Sequence, residues 1–66
     1  MNIQLKGYTG LVSEEKGIFT GTITDKDGRV VWVDGCDREE EMQTWVLGAF
    51  QEFVKTGTMP ELYYGD

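Results

Sequence analysis

Histidine is absent from this chain of 66 residues, and cysteine occurs once, as Cys36. Without an imidazole, a serine or cysteine nucleophile has no ordinary general base to activate it. A single cysteine forms no intramolecular disulfide, and zinc prefers more sulfur and nitrogen ligands than this chain supplies. Acidic residues surround Cys36, so we expect an incidental thiol rather than a reactive one. These shortages predict no catalytic residues, no cofactor and no metal.

Long apolar runs are also missing. The start, MNIQLKGYTG, lacks a secretory-signal pattern, and nothing approaches the roughly 20 apolar residues of a membrane span. A lone thiol without an export signal favours a reducing setting, so we expect a cytoplasmic protein without membrane contact. The segment DKDG begins like a calcium loop, but the closing position counted from Asp25 is Cys36 instead of glutamate. Turn chemistry explains that segment.

Basic residues are scarce, since six lysine and arginine residues face twelve aspartate and glutamate residues, for a net charge of −6. Such a field disfavours direct binding to nucleic acid and favours a basic protein partner, although plain solubility explains the same charge. A chain of this length buries only about 60% of the surface that its unfolded form exposes. We therefore expect extra support from a partner or from self-association as a homodimer.

Three segments have the composition of strands, at about residues 2–12, 18–24 and 29–33. The polar, glycine-ended stretches between them are too short for a crossover, which predicts an antiparallel three-stranded meander. Residues 62–64 offer a short fourth strand as an option. The third strand, RVVWV, would form a sheet edge with little charge, and the pattern leaves open which face Trp32 takes.

A helix is predicted over about residues 38–56, followed by a tail over residues 57–66. Asp37 and Glu40 have the spacing of an N-terminal capping box, and Gly57 is a suitable stop. Apolar residues at steps of three and four form one face of this helix, namely Met42, Trp45, Val46, Ala49, Phe50, Phe53 and Val54. The predicted fold class is α+β, with one helix packed on a face of the sheet in a single domain over residues 1–66.

A glycine stands at the centre of each half of the first hairpin, YTGLVSEEKGIFTGTI. A four-residue loop over residues 14–17 would pair Gly10 with Gly21 and leave a bare patch of backbone. An aromatic ring from the helix would fit that patch, because glycine in a strand often marks a close approach. A bulge at each glycine is the alternative.

This ordered set of elements resembles the HicB-like antitoxin family over about residues 6–65. YTGLVSEEKGIFTGTI looks like the family's paired Y-x-G-x-V and G-x-F-x-G-x-V strands, and VVWVDGCDREEEM is similar to its third strand and acidic helix start. AFQEFV and GTMPELYYG match its later helical and glycine-proline positions. The resemblance implies a partial, catalytically inactive RNase H-like fold that binds a small basic RNase toxin and covers its active site. Many members continue into a DNA-binding segment, which is not expected here because the chain stops where that segment would begin.

Acidic residues around the helix start form the predicted partner-binding surface, together with an apolar flank of the helix. The acidic residues are Asp34, Asp37, Glu39, Glu40 and Glu41, and the apolar residues are Leu47 and Phe50. Such acids would face lysine and arginine side chains that normally bind nucleic-acid phosphates. Solvated turns and a first helical turn matched to the helix dipole explain the same acids, and the apolar pair fits a wider core face equally well.

We therefore predict a non-catalytic, antitoxin-like inhibitor that occludes a basic nuclease or nucleic-acid-binding protein. The alternative is a phage-encoded inhibitor of a host defence system, similar to anti-CRISPR proteins, that mimics nucleic acid with its acidic surface. A metal-dependent hydrolase on the RNase H-like theme is a third interpretation. It needs carboxylates within strands, and the three predicted strands contain none.

Overall fold

Four antiparallel strands and one helix make up the part of the chain that the computed structural model describes, residues 1–62. In chain order these are β1 (Asn2–Leu5), β2 (Tyr8–Glu15), β3 (Ile18–Thr24), β4 (Val30–Cys36) and α1 (Glu39–Thr56). The sheet has the order β1-β2-β3-β4, and α1 packs across one of its faces. The predicted α+β class, a meander with one helix on a face, is confirmed.

The predicted first strand is a hairpin, and this is where the fourth strand arises. Lys6 and Gly7 have φ values of 51° and 89°. Positive φ at both central residues is what a two-residue turn between twisted strands requires. The chain therefore reverses after Leu5, and β1 pairs with the first half of β2. In the tail, Leu62 makes a single parallel bridge to Trp32, and residues 63 and 64 of the optional strand lie outside the described residues.

The predicted register between β2 and β3 is wrong by two residues. Instead of a four-residue loop, the turn consists of Lys16 and Gly17, again with positive φ. Gly10 consequently pairs with Ile23, and Gly21 pairs with Val12. A shift of two residues keeps every side chain on its original face, so both glycines still lie beneath the helix.

Both glycines allow α1 to approach the sheet closely, as predicted. A Cβ atom on Gly10 would lie 2.6 Å from Cε2 of Phe50, and one on Gly21 would lie 2.5 Å from Sδ of Met42. Real Cβ atoms do not come so near to other heavy atoms, so a larger residue at either position would force these side chains or the helix to shift. Phe50 is the aromatic residue that fills the patch at Gly10.

The third predicted strand is longer than expected and places Trp32 in the core. β4 extends to Cys36, three residues past the predicted end, with an irregularity opposite Ile23 and Thr24. Trp32 pairs with Ile23 on the helix side of the sheet and is 6% exposed. The sequence left open which face of the sheet Trp32 takes, and the structure places it on the buried face.

The helix begins one residue later than predicted, at Glu39. Arg38 is the N-cap residue and makes no capping hydrogen bond through its side chain, so the prediction of Asp37 in this role is wrong. Because β4 runs on to Cys36, only Asp37 and Arg38 connect it to α1. At the other end Gly57 is left-handed, and its N–H donates to the Phe53 carbonyl, which confirms the predicted stop.

The core lies between α1 and the sheet. Its buried side chains are Ile23, Val31, Trp32, Met42, Val46, Ala49, Phe50, Phe53 and Met59. Two residues of the predicted apolar helix face are not buried, since Trp45 is 39% and Val54 is 70% exposed. Met59, in the tail, is a core residue that the helical periodicity did not reveal. The apolar face of α1 is thus wider than the part of it that the sheet covers.

Candidate protein-binding site

One end of the sheet brings together two chain segments that lie far apart in the sequence, the β2–β3 turn and the junction of β4 with α1. β2 ends and β3 begins there, since Glu15 pairs with Ile18. The end of β4 joins them because Cys36 pairs with Phe19, and α1 starts after two connecting residues. We call residues 14–16 and 34–41 the acidic end.

The acidic end holds most of the chain's excess negative charge. Its carboxylates are those of Glu14, Glu15, Asp34, Asp37, Glu39, Glu40 and Glu41. Against these seven stand Lys16 and Arg38, which leaves −5 of the net charge of −6. The sequence pattern treated the first hairpin and the helix start as separate groups. The register of β3 on β2 and β4 brings them together.

The opposite end of the molecule is nearly balanced. It comprises residues 6–7, 25–29 and 52–55. The end of α1 lies beside the start of β2 there, since the ring centroids of Phe53 and Tyr8 are 5.1 Å apart. Four basic side chains and three carboxylates give this end a net charge of +1. The molecule is therefore strongly dipolar along its strands.

Two of the seven carboxylates also serve the local backbone. Glu14 accepts a hydrogen bond from the N–H of Gly17 at 2.9 Å, which closes the β2–β3 turn. Asp34 is half-buried and accepts from the N–H of Gly35 at 2.8 Å. The predicted residues Asp37, Glu39, Glu40 and Glu41 are exposed. The three glutamates occupy the first turn of α1, where the helix dipole stabilises them.

An apolar depression of about 250 Å³ lies beside these charges. It is lined by Ile18, Thr20, Val33, Asp34, Gly35, Cys36 and Asp37. Ile18 is 50% exposed, although it belongs to a strand. An apolar centre with a charged rim is the usual anatomy of a protein–protein interface. Sequence reasoning missed Ile18 and Val33, because only the strand register places them beside the acids.

Cys36 forms part of the wall of this depression. Its thiol is half-buried and donates a hydrogen bond to the carbonyl oxygen of Arg38, with Sγ and O 3.0 Å apart. The thiol thereby links the end of β4 to the start of α1. This is a structural contact, and it needs no reactive cysteine.

The predicted apolar residues lie on a different surface. Leu47 is 44% exposed, whereas Phe50 is 5% exposed with its ring against Gly10. A groove of about 360 Å³ runs between β1 and α1, and we call it the flank groove. It is lined by Ile3, Gln4, Leu5, Leu47, Phe50, Gln51 and Val54. Phe50 thus belongs to the core and forms part of the buried floor of the flank groove, while Leu47 is an exposed residue of its wall.

The arrangement of the acidic side chains bears on the interpretation of the chain as a metal-dependent hydrolase. The longer observed strands do include Glu14, Glu15 and Asp34, which the predicted bounds left out. Within residues 1–62, however, no three carboxylate or thiol groups converge as metal ligands. In the DKDG segment, Asp25 accepts hydrogen bonds from the N–H groups of Asp27 and Arg29, both at 2.9 Å. That carboxylate shapes its own loop.

Comparison of the chain with known protein families, with characterised proteins and with solved structures gave no match. The HicB-like resemblance therefore stays a prediction, and the function has to be argued from the surface itself. None of the helical structure in residues 1–62 combines the length and the apolar character of a membrane span.

Proposed function

We propose that this chain is a non-catalytic, HicB-like inhibitor of the antitoxin type, which acts in the cytoplasm. Its partner is a small basic nuclease or another basic protein that binds nucleic acid, and the chain blocks that partner's nucleic-acid site. The observation that carries this proposal is the segregation of charge, with −5 of the net −6 placed at one end, where an apolar depression is lined in part by Asp34 and Asp37.

The exposed carboxylates and the apolar depression would contribute differently to binding. Two unit charges 4 Å apart attract by only about 1 kcal/mol in water, and salt screens them beyond about 10 Å. Charges on Asp37, Glu40 and Glu41 would therefore mainly speed and orient the encounter with a basic cleft. Burial of Ile18 and Val33 would supply the short-range part of the affinity, at about 25 cal/mol for each Å² of apolar surface.

Inhibition would follow from occupancy alone. Lysine and arginine residues that bind phosphates need exposed anions at their own spacing, and the first turn of α1 presents three successive glutamates on a rigid element. A nucleic acid and this chain would then compete for one cleft. No group of the chain has to give or take a proton.

The experiment begins with affinity capture from the native host, followed by purification of each captured protein. A basic nuclease whose RNA cleavage stops at one equivalent of the chain is the expected result. Capture of a nucleic-acid-targeting defence complex would favour the phage-inhibitor alternative instead. Partners with no nucleic-acid activity, or inhibition that is insensitive to salt, would refute occlusion by the acidic end.

A matched pair of triple variants tests the surface. The first reverses three charges at the acidic end, with Asp37→Lys, Glu40→Lys and Glu41→Lys. The second makes the same change in net charge elsewhere, with Asp27→Lys, Glu52→Lys and Glu61→Lys. We expect the first variant to weaken inhibition about tenfold or more, which corresponds to about 1.4 kcal/mol, and the second by much less. Equal losses would show that only the overall charge matters.

A further inference from the structure

The outer edge of β1 has backbone groups without a strand to pair with. Within residues 1–62, β1 has β2 as its one neighbour in the sheet. The carbonyl of Met1 accepts from the N–H of Val12, which sets the alternation along the strand. Met1, Ile3 and Leu5 therefore point their backbone groups toward β2, and Asn2 and Gln4 point theirs outward.

The sequence of this edge does nothing to prevent pairing. β1 reads NIQL and contains no charge, no proline and no bulge, which are the devices that natural edge strands use against association. The other edge of the sheet is partly covered. There, Leu62 donates its N–H to the Val31 carbonyl, and its own carbonyl accepts from the N–H of Val33.

The flank groove beside β1 is an uncharged surface on a strongly acidic chain. No side chain that lines it is charged, although the chain carries −6. Leu47 and Val54 are 44% and 70% exposed at its rim, and Ile3 and Leu5 are half-buried in it. Because it carries no charge, this surface offers a basic partner no electrostatic attraction. A second copy of the chain would find matching apolar side chains there.

Charge decides the relative direction of the two copies. If two β1 strands pair antiparallel, the acidic end of each copy lies beside the nearly balanced end of the other. The two acidic ends, each with a net charge of −5, are then held far apart. Each of them faces the opposite end of the other copy, which has a net charge of +1 and contains Lys6. A parallel arrangement would place the two acidic ends side by side. The dipoles of the two copies therefore attract each other when the β1 strands pair antiparallel, whereas they would repel each other in a parallel arrangement.

We propose that two copies associate through β1 about a two-fold axis at Ile3, forming one continuous eight-stranded antiparallel sheet. Asn2 of each copy would pair with Gln4 of the other, which uses the outward backbone groups of both residues. Ile3 would meet its own copy on the helix side, where Leu47 and Val54 from both chains would close the two flank grooves. This inference goes beyond the proposed function, because both acidic ends stay exposed in such a dimer.

Sedimentation equilibrium of the full chain tests the proposal with a matched pair of substitutions. Leu47 and Leu11 have nearly equal exposure, 44% and 43%, but Leu11 lies on the sheet face away from α1. We expect a dimer whose dissociation constant rises about tenfold or more with Leu47→Lys and changes little with Leu11→Lys. Both variants add one positive charge, so a difference between them cannot come from net charge.

A third variant tests the strand edge without touching the groove. Gln4→Pro removes one outward N–H and is compatible with an edge strand. It should raise the dissociation constant of the dimer as Leu47→Lys does. Circular dichroism serves as the control and should show that the variant is still folded. A chain that is monomeric at every concentration, or a dimer that survives either Leu47→Lys or Gln4→Pro, would overturn the proposal. Equal weakening by Leu11→Lys would overturn it as well.

Discussion

The contact between Gly10 and Phe50 gives the sharpest test of how α1 is seated on the sheet. A methyl group at Gly10 would lie 2.6 Å from Cε2 of Phe50 and 3.1 Å from Cγ1 of Val46. Carbon atoms pack at about 3.5–4.0 Å, so Gly10→Ala creates an overlap of about 1 Å with a buried ring. Because the ring is 5% exposed within the core, relief of this overlap requires the ring or the helix to shift.

The expected effect is large for a chain of this size. Overpacking of this kind costs about 1–3 kcal/mol, and the lower entropy of the unfolded alanine variant returns about 0.4–1 kcal/mol. A domain of 66 residues has about 3–10 kcal/mol of stability in total. We therefore expect Gly10→Ala to lower the free energy of unfolding by about 1–2 kcal/mol. The melting temperature should fall by about 4–16 °C.

Thermal and urea unfolding followed by circular dichroism would measure this change. Gly35→Ala is the control, because its Cβ would meet the Phe19 carbonyl oxygen at 3.7 Å, an ordinary contact within the same sheet. A double-mutant cycle with Phe50→Leu isolates the clash, since removal of the ring should make Gly10→Ala less destabilising by about 1 kcal/mol. If Gly10→Ala melts no lower than Gly35→Ala, the close seating of the helix is wrong.

Two further substitutions probe the helix and the tail. Gly48→Ala should raise the free energy of unfolding by about 1 kcal/mol, because a Cβ there meets nothing within 4 Å and alanine is the better helix former. Urea unfolding measures this gain, and a loss would mean that another surface approaches Gly48 closely. Met59→Ala should cost about 2–5 kcal/mol, since Met59 is 5% exposed within the core. An unchanged melting temperature would show that the tail adds nothing to stability.

Much of the fold was predictable because its signals are local. Steps of four, three and four between Met42, Val46, Ala49 and Phe53 identified α1, and Gly57 identified its end. The width of the buried stripe was not predictable, since Trp45 and Val54 continue the same period and yet remain exposed. How much of a helix is covered depends on the sheet beneath it, and the helical period carries no information about that.

The candidate site was only partly predictable. The acidic run over residues 34–41 is visible in the sequence, but its link to Glu14 and Glu15 depends on strand register. Two of the three hairpins turn on a Lys-Gly pair, at Lys6-Gly7 and Lys16-Gly17, a repeated signal that would have located these two turns. Lysine rarely adopts positive φ, which is why neither pair stood out as a turn.

The α+β class and the helix with its stop could be predicted from the sequence alone, which also marked Gly10 and Gly21 as unusual residues within strands. These follow from side-chain periodicity and from the missing Cβ, both properties of short segments. Three-dimensional packing was needed to show that the bare backbone at Gly10 and Gly21 lies against the helix, that Met59 completes the core, and that −5 of the charge collects at one end. Those features depend on how distant segments pair across the sheet and on how the helix and the tail pack against it, and no short segment specifies that balance.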